Sequence, residues 1–129
     1  MTDSIFTRII KGEIPAFKIY EDDQALAFLD ISPYTPGHTL IVPKKEVDHL
    51  WDVDDPLYEH LMKVAKKIAN RQREVLKPPR VGIIVEGFAV PHAHVHVLPM
   101  YEGLEATIKN QVQKPSDAAL AAMAKKLAF

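Results

Sequence analysis

The arrangement of hydrophobic and polar residues predicts a mixture of short strands and helices along this chain. Apolar runs bounded by proline, glycine or acidic turn residues are typical of β-strands. A longer stretch, Pro56 to Leu76, repeats apolar residues at helical spacing between charged ones, which predicts an amphipathic helix lying on a sheet. The predicted strands are residues 17–20, 25–29, 38–43, 81–85 and the histidine-containing run 91–99.

Two shorter helices are predicted near the ends of the chain. Ser4 can cap a helix of apolar residues at helical spacing, and Gly12 follows where that helix should end. A terminal helix is predicted within the tail at about 115–128. Strands joined by hairpins, then a helix, then two more strands indicate an α+β fold with an antiparallel five-stranded sheet.

Composition limits the class of protein. A chain of 129 residues with 47% hydrophobic residues predicts one globular domain over 1–129, with its core at about 4–100. A formal charge of −1 argues against nucleic acid or an anionic membrane as a partner, but leaves room for a small anionic ligand. Since no apolar run approaches the roughly 20 residues of a spanning helix and the start lacks a secretion signal, we expect a cytoplasmic protein.

Three histidines at alternate positions, His92, His94 and His96, carry the strongest chemical signal. In an extended backbone they would share one face at a spacing of about 6.5 Å, with the intervening apolar residues on the other face. Such a row can hold a nucleophile, a proton donor and a positioning group at neutral pH. Two alternatives remain: structural histidines, and a metal site with zinc, iron or manganese. The nearest acidic residues are Glu86 and Glu102, so a further ligand would come from elsewhere.

The run HAHVHVL at 92–98 resembles the signature of the histidine triad (HIT) superfamily. The stretch IFTRIIKGEIPAFKIYEDDQALAFLDISPYTPGHTLIVPKK resembles the amino-terminal half of that family's nucleoside-phosphoramidase branch. Together the two blocks cover roughly residues 4 to 100. The resemblance implies a single HIT-like domain that cleaves a phosphorus bond at a nucleoside α-phosphate. Its substrate would be a purine nucleoside phosphoramidate or a dinucleoside polyphosphate.

The resemblance also implies a role for each matched residue. His94 would attack the α-phosphorus and form a covalent nucleotidyl-histidine, while His96 would contact the phosphate oxygens or assist the leaving group. His92 and His38 would support the row through hydrogen bonds. Asp30 would accept hydrogen bonds from the ribose hydroxyls. Matches to positions that enclose the base are Phe6, Ile9, Phe28 and Ile31.

The loop before the triad departs from the family pattern. Phe88 and Ala89 occupy positions where the phosphoramidase branch usually has Gln-Ser, and we expect both to contact the nucleotide. Backbone N–H groups would then replace the missing side chains, or the leaving-group preference would differ. No metal and no cofactor are expected, and the resemblance implies a homodimer. Two alternatives are a nucleotide-binding module with negligible turnover and a metal-dependent hydrolase that uses the histidine row as ligands.

Overall fold

The computed structural model describes residues 3–103 and 114–129. Three helices and five strands form in the predicted order, with most boundaries within two residues of the predicted ones. Within the described part of the chain, no helix is both long enough and apolar enough to cross a membrane. The elements are α1 (Ile5–Ile10), β1 (Lys18–Glu21), β2 (Ala25–Leu29), β3 (Thr39–Pro43), α2 (Asp55–Leu76), β4 (Arg80–Ile84), β5 (Val95–Met100) and α3 (Asp117–Leu127).

The five strands form one sheet in the order β1-β2-β3-β5-β4, and every neighbouring pair is antiparallel. This confirms the predicted α+β fold with an antiparallel five-stranded sheet. The long connection through α2 separates β3 from β4, and β5 pairs with both of them. As a result, β5, which contains His96, lies inside the sheet next to β3, the strand that follows His38.

One face of the sheet packs against α2 and α3. The α2 stripe places Leu61, Val64 and Ile68 in the main core, at the helical spacing that the sequence predicts. Gln72 continues this stripe although it is polar. Its buried amide Nε2 donates hydrogen bonds to the carbonyl oxygens of Gly37 at 3.0 Å and Val97 at 3.2 Å, so the helix is fastened to the sheet beside β3 and β5.

The opposite face of the sheet is covered by α1, which makes β2 and β3 fully buried strands. Leu26 and Phe28 of β2 pack here against Phe6 and Ile9 of α1. The α1 helix begins at the predicted cap, because the Ser4 hydroxyl oxygen accepts a hydrogen bond from the Thr7 N–H at 3.0 Å. A small second core therefore lies on the same side of the sheet as the histidines.

The prediction that the whole histidine run forms one strand is wrong in its first half. Strand β5 begins at Val95, so only His96 of the three belongs to it. The Ala93 N–H bonds to the Val47 carbonyl at 2.6 Å and the His92 N–H to the Val90 carbonyl at 2.9 Å, and neither is a bond between β3 and β5. The side chains still alternate as predicted, because the residues between the histidines enter the main core.

Candidate functional site

A cavity of about 280 Å3 lies between α1 and the sheet, and the histidine row forms one end of it. Its walls are mostly apolar, and one carboxylate, that of Asp30, is among them. This combination of an apolar slot and a few polar groups is typical of small-molecule sites. Among the predicted site residues, the cavity is lined by Phe6, Ile9, Phe28, Asp30, Ile31, Ala89, His94 and His96.

His94 is held in one tautomer by its own backbone. Its Nδ1 lies 2.7 Å from the carbonyl oxygen of His92, an atom that can only accept, so we assign the proton to Nδ1. The lone pair is then on Nε2. The ring is 4% exposed and packs edge to face against Phe6, with the ring centroids 5.1 Å apart. His94 thus has a fixed orientation and a nitrogen available as a nucleophile.

A chain of hydrogen bonds fixes the protons of His38 and His96. The Tyr34 N–H donates to His38 Nδ1 at 3.2 Å, which leaves the His38 proton on Nε2. That Nε2–H donates to His96 Nδ1 at 2.9 Å, which in turn places the His96 proton on its own Nε2. This last N–H is buried and has no hydrogen-bond partner among the described residues. His96 therefore offers a free donor beside the cavity that it lines.

His92 supports the row without facing the cavity. Its Nε2–H donates to the Pro43 carbonyl at 2.8 Å, and its Nδ1 accepts from the Ser4 hydroxyl at 2.7 Å. Glu46 completes this cluster by accepting from the Ser4 N–H and the Thr7 hydroxyl, both at 2.7 Å. These hydrogen bonds lower the Glu46 pKa to about 2, so the carboxylate stays charged. The cluster joins the start of α1 to the histidine whose carbonyl orients His94.

Asp30 follows β2 and lies in the cavity lining close to His38 and His96. Burial raises the pKa of its carboxyl, although one oxygen accepts from the Ser32 N–H at 2.8 Å. The other oxygen lies 3.8 Å from His38 Nε2. A partly buried carboxylate with free acceptor capacity is well suited to bind hydroxyl groups of a ligand.

The family model of the HIT domain matches residues 11–103, well over half of the chain. The chain belongs to the HIT family. An uncharacterized HIT-like protein of Borreliella burgdorferi is 42% identical over 109 residues, which cover 79% of this chain and 78% of that protein. The resemblance to the HIT superfamily that the sequence indicated is therefore confirmed.

Solved structures of HIT proteins share the whole fold. A Hit-like protein involved in cell-cycle regulation from Bartonella henselae, with an unknown ligand, superposes with a TM-score of 0.86 and 32% identity, over 97% of this chain and 93% of that one. A hypothetical histidine triad nucleotide-binding protein from Sulfolobus tokodaii gives a TM-score of 0.85 and 26% identity, over 95% and 88%. The predicted HIT-like α+β domain is thus confirmed.

In the described residues, one group of side chains next to the histidine row could hold a metal ion. Ligand atoms of Asp30, His38 and His96 all lie within 4.8 Å of one another. However, the facing nitrogens of the two histidines share a hydrogen bond at 2.9 Å, whereas two nitrogens on one tetrahedral zinc would lie about 3.4 Å apart. At this distance the His38 Nε2–H lies between the two nitrogens.

Phe88 lies outside the cavity between α1 and the sheet, unlike its neighbour Ala89. Phe88 is 93% exposed and lines a second cavity, on the other side of His94. Trp51 is 72% exposed and lines the same cavity. Trp51 lies in a single 3-10 turn, Leu50–Asp52, and Phe88 lies in a loop, so no periodicity could have shown that both line one cavity.

The buried imidazoles should make HIT-domain stability depend on pH. Burial lowers the pKa of both His38 and His96 to about 4, against about 6.5 for a solvated histidine. Below pH 6.5 the unfolded chain takes up protons that the folded state resists, so stability is lost as the pH falls towards 4. We expect the free energy of unfolding in urea to be lower at pH 5 than at pH 7 by about 2–4 kcal/mol.

A His96→Asn variant is the internal control for this effect. It should lose part of the pH dependence because one of the two imidazoles with a pKa of about 4 is gone. Glu46 and Asp22, whose pKa values are both about 2, stay ionised in the folded state between pH 5 and pH 7. They therefore contribute little to the difference in unfolding free energy. Equal unfolding free energies at pH 5 and pH 7 would contradict the assignment of neutral, proton-resistant histidines.

Proposed function

We propose that this HIT protein binds a purine nucleotide and cleaves a bond at its α-phosphorus through a covalent nucleotidyl-histidine at His94. The observation that supports this most strongly is the pair of complementary nitrogens beside one cavity. His94 has its lone pair on Nε2, and His96 has an unpartnered buried N–H on its own Nε2. A nucleophile next to a fixed hydrogen-bond donor is the arrangement that phosphoryl-type transfer requires.

In the first step His94 Nε2 attacks the α-phosphorus, and the bond from phosphorus to the leaving atom breaks. The electron pair of that bond goes to the leaving atom, which takes a proton from water. The ring becomes a cationic imidazolium that still carries its Nδ1–H. The His92 carbonyl oxygen stabilises the new charge because it accepts a hydrogen bond from that N–H. The His96 Nε2–H donates to a non-bridging phosphate oxygen.

In the second step water attacks the same phosphorus. The bond between phosphorus and His94 Nε2 breaks, and its electron pair returns the ring to the neutral form. Water gives one proton to the solvent, and a nucleoside monophosphate leaves. The first step needs His38 and His96 in their neutral forms, and burial keeps them neutral at pH 7 by lowering their pKa values to about 4.

The same cavity is suited to the nucleoside. Phe6 and Phe28 pack edge to face with ring centroids 5.6 Å apart, and together with Ile9 they give an apolar wall for a flat base. Asp30, which lies beside the histidine row, would accept hydrogen bonds from the ribose hydroxyls. The name of the Sulfolobus tokodaii structure, a nucleotide-binding histidine triad protein, is consistent with this use of the shared fold.

We propose further that the protein forms a homodimer in the cytoplasm. Strand β4 is an edge of the sheet, and Ile83 on it is 46% exposed. An uncovered edge strand with an exposed apolar residue favours pairing with a second copy. Sedimentation of the purified protein tests this association separately from catalysis.

The function is tested by trapping the intermediate. The protein is mixed with adenosine phosphoramidate, or with diadenosine tetraphosphate, and stopped in alkali, because a phosphorus–imidazole bond is labile in acid. We expect peptide mass spectrometry to find one nucleotidyl group on His94, together with release of nucleoside monophosphate that a chelator does not reduce. Binding without release would favour the nucleotide-binding module, and release that a chelator abolishes would favour the metal-dependent hydrolase.

A further inference from the structure

One buried polar side chain of α2 is connected to the backbone beside both His38 and His96. Gln72 is fully buried, and its side-chain nitrogen donates to two backbone carbonyl oxygens, that of Gly37 at 3.0 Å and that of Val97 at 3.2 Å. Gly37 immediately precedes His38, and Val97 immediately follows His96. A single nitrogen therefore bridges the two segments that carry these hydrogen-bonded imidazoles.

Packing alone does not explain an amide at this position of α2. Gln72 continues the buried stripe of Leu61, Val64 and Ile68 at helical spacing, where an apolar side chain would be typical. Its Oε1 is buried and has no hydrogen-bond partner among the described residues, and an unsatisfied buried acceptor lowers stability. What the amide provides is the pair of hydrogen bonds to the two segments.

The backbone of His38 depends on such contacts because β3 begins only after it, at Thr39. The peptide group before His38 is held at both ends. Its carbonyl oxygen, that of Gly37, accepts from Gln72 and also from the Thr39 hydroxyl at 2.8 Å. Its N–H donates to the Thr35 carbonyl at 3.1 Å. Fixing this peptide group fixes the point from which the His38 ring extends.

The position of the two rings decides the tautomer of His96. The His38 Nε2–H donates to His96 Nδ1 at 2.9 Å, and a nitrogen that accepts a proton in this way leaves the ring proton on the other nitrogen, Nε2. Hydrogen bonds weaken steeply as their length and angle depart from the preferred values. A shift of about 1 Å between the two segments would therefore release the tautomer, and the Nε2–H beside the cavity would be lost in part of the molecules.

We propose that Gln72 is a positioning residue for nucleotidyl transfer, which sets the separation of the segments next to His38 and His96 and so keeps the His96 proton on Nε2. This inference rests on the proposed function, in which that N–H donates to a non-bridging phosphate oxygen. Gln72 acts through the backbone from the α2 side of the sheet. Its replacement should therefore affect the chemical step more than nucleotide binding.

The first test is the Gln72→Met variant, which keeps the length of the side chain and removes both donated hydrogen bonds. We expect kcat for adenosine phosphoramidate to fall about tenfold, because the donor to the phosphate is no longer held in place, and KM to change less than twofold. The urea midpoint should stay close to that of the unmodified protein, since the unsatisfied Oε1 is removed as well. A lower midpoint with an unchanged kcat would show a role in packing alone and overturn the proposal.

The Ile68→Val variant is the matched control, one turn earlier on the same stripe. It removes one methyl group from the same interface between helix and sheet but no hydrogen bond. The urea midpoint should fall because of the lost packing, and kcat should stay within twofold. A loss of kcat equal to that of Gln72→Met would overturn the specific role of the amide, because any loosening of α2 would then slow the reaction.

Two variants of Thr39 give the answer if Gln72→Met does not fold. Thr39→Val keeps the shape of the side chain and removes the hydroxyl that donates to the Gly37 carbonyl, whereas Thr39→Ser keeps the hydroxyl. We expect kcat to fall a few-fold in the first variant and to stay within twofold in the second. Equal kcat values in the two variants would overturn the proposal.

Magnetic resonance of 15N-labelled histidine tests the positioning role without turnover. The protonated and unprotonated nitrogens of a neutral imidazole have well-separated 15N shifts, so each tautomer is observed directly. At pH 7 we expect His96 to carry its proton on Nε2 in the unmodified protein and to show both tautomers in Gln72→Met. Unchanged tautomers in the variant would overturn the proposal. If the unmodified protein cleaves no nucleotide, the proposed function is overturned, and the tautomers still decide whether Gln72 positions the two imidazoles.

Discussion

Replacing His94 by alanine should lower kcat by about four orders of magnitude for any nucleotide substrate that the protein cleaves. The loss is this large because the covalent route has no other nucleophile, and removing the central residue of such a group costs most of the chemical step. Nucleotide affinity should change only a few-fold, since the nucleoside walls and Asp30 are untouched. Single-turnover kinetics and a binding titration with adenosine monophosphate measure the two quantities separately.

The matched control for this variant is His60→Gln. His60 is a histidine outside both cavities, paired with Asp22 at 2.7 Å between Nε2 and a carboxylate oxygen. Its replacement should leave kcat unchanged at temperatures well below the melting transition. A His94→Ala protein that retains more than about a hundredth of the activity would show that His94 is not the nucleophile. Direct attack of water on the phosphorus would then be the mechanism to test.

Replacing Phe6 by alanine should have the second largest effect, on both stability and catalysis. The ring is 6% exposed and packs edge to face with Phe28, His92 and His94 at centroid distances between 5.1 and 5.8 Å. Removing a buried phenyl ring costs about 3–5 kcal/mol of unfolding free energy. The base would also lose one wall, so KM should rise about tenfold, and kcat should fall because the His94 ring is less firmly held.

The Phe6→Leu variant separates the effect of side-chain volume from the effect of the aromatic ring. Leucine fills most of the space and keeps α1 on the sheet, so we expect less than half of the stability loss and a smaller change in kcat. Urea unfolding and initial-rate kinetics on the same preparations provide both numbers. If Phe6→Ala unfolded like the unmodified protein, α1 would not be packed as described, and the nucleoside cavity would lose its main wall.

Much of the fold was predictable from the sequence because local patterns and long-range packing agree here. The alternation in the histidine run is the clearest case: residues between the histidines enter the main core, so the imidazoles must face the other side. The strand at 25–29 and the end of α2 at Leu76 were predicted to the residue. Ser4 was predicted as the cap of α1 from its side-chain chemistry, and it occupies that position.

Other features depend on tertiary contacts that no local pattern contains. Gln72 reads as part of a polar helix surface, yet it is buried because Gly37 and Val97 present carbonyl groups to its amide. Strand β5 begins only at Val95 because Ala93 bonds to Val47, a residue far away in the chain. Phe88 was expected to contact the nucleotide because of its place before the triad, and it lines the second cavity beside His94; a loop position alone does not determine the direction of a side chain.

The six-residue length of α1 has a consequence for dynamics. A helix this short is not stable in isolation, so its persistence depends on packing against the sheet and on the cluster around His92. We expect α1 to open more often than the strands of the sheet, so that one wall of the nucleoside cavity has low local stability. A bound nucleotide would hold that wall in place, and the amide hydrogens of α1 would then exchange with solvent more slowly than in the free protein.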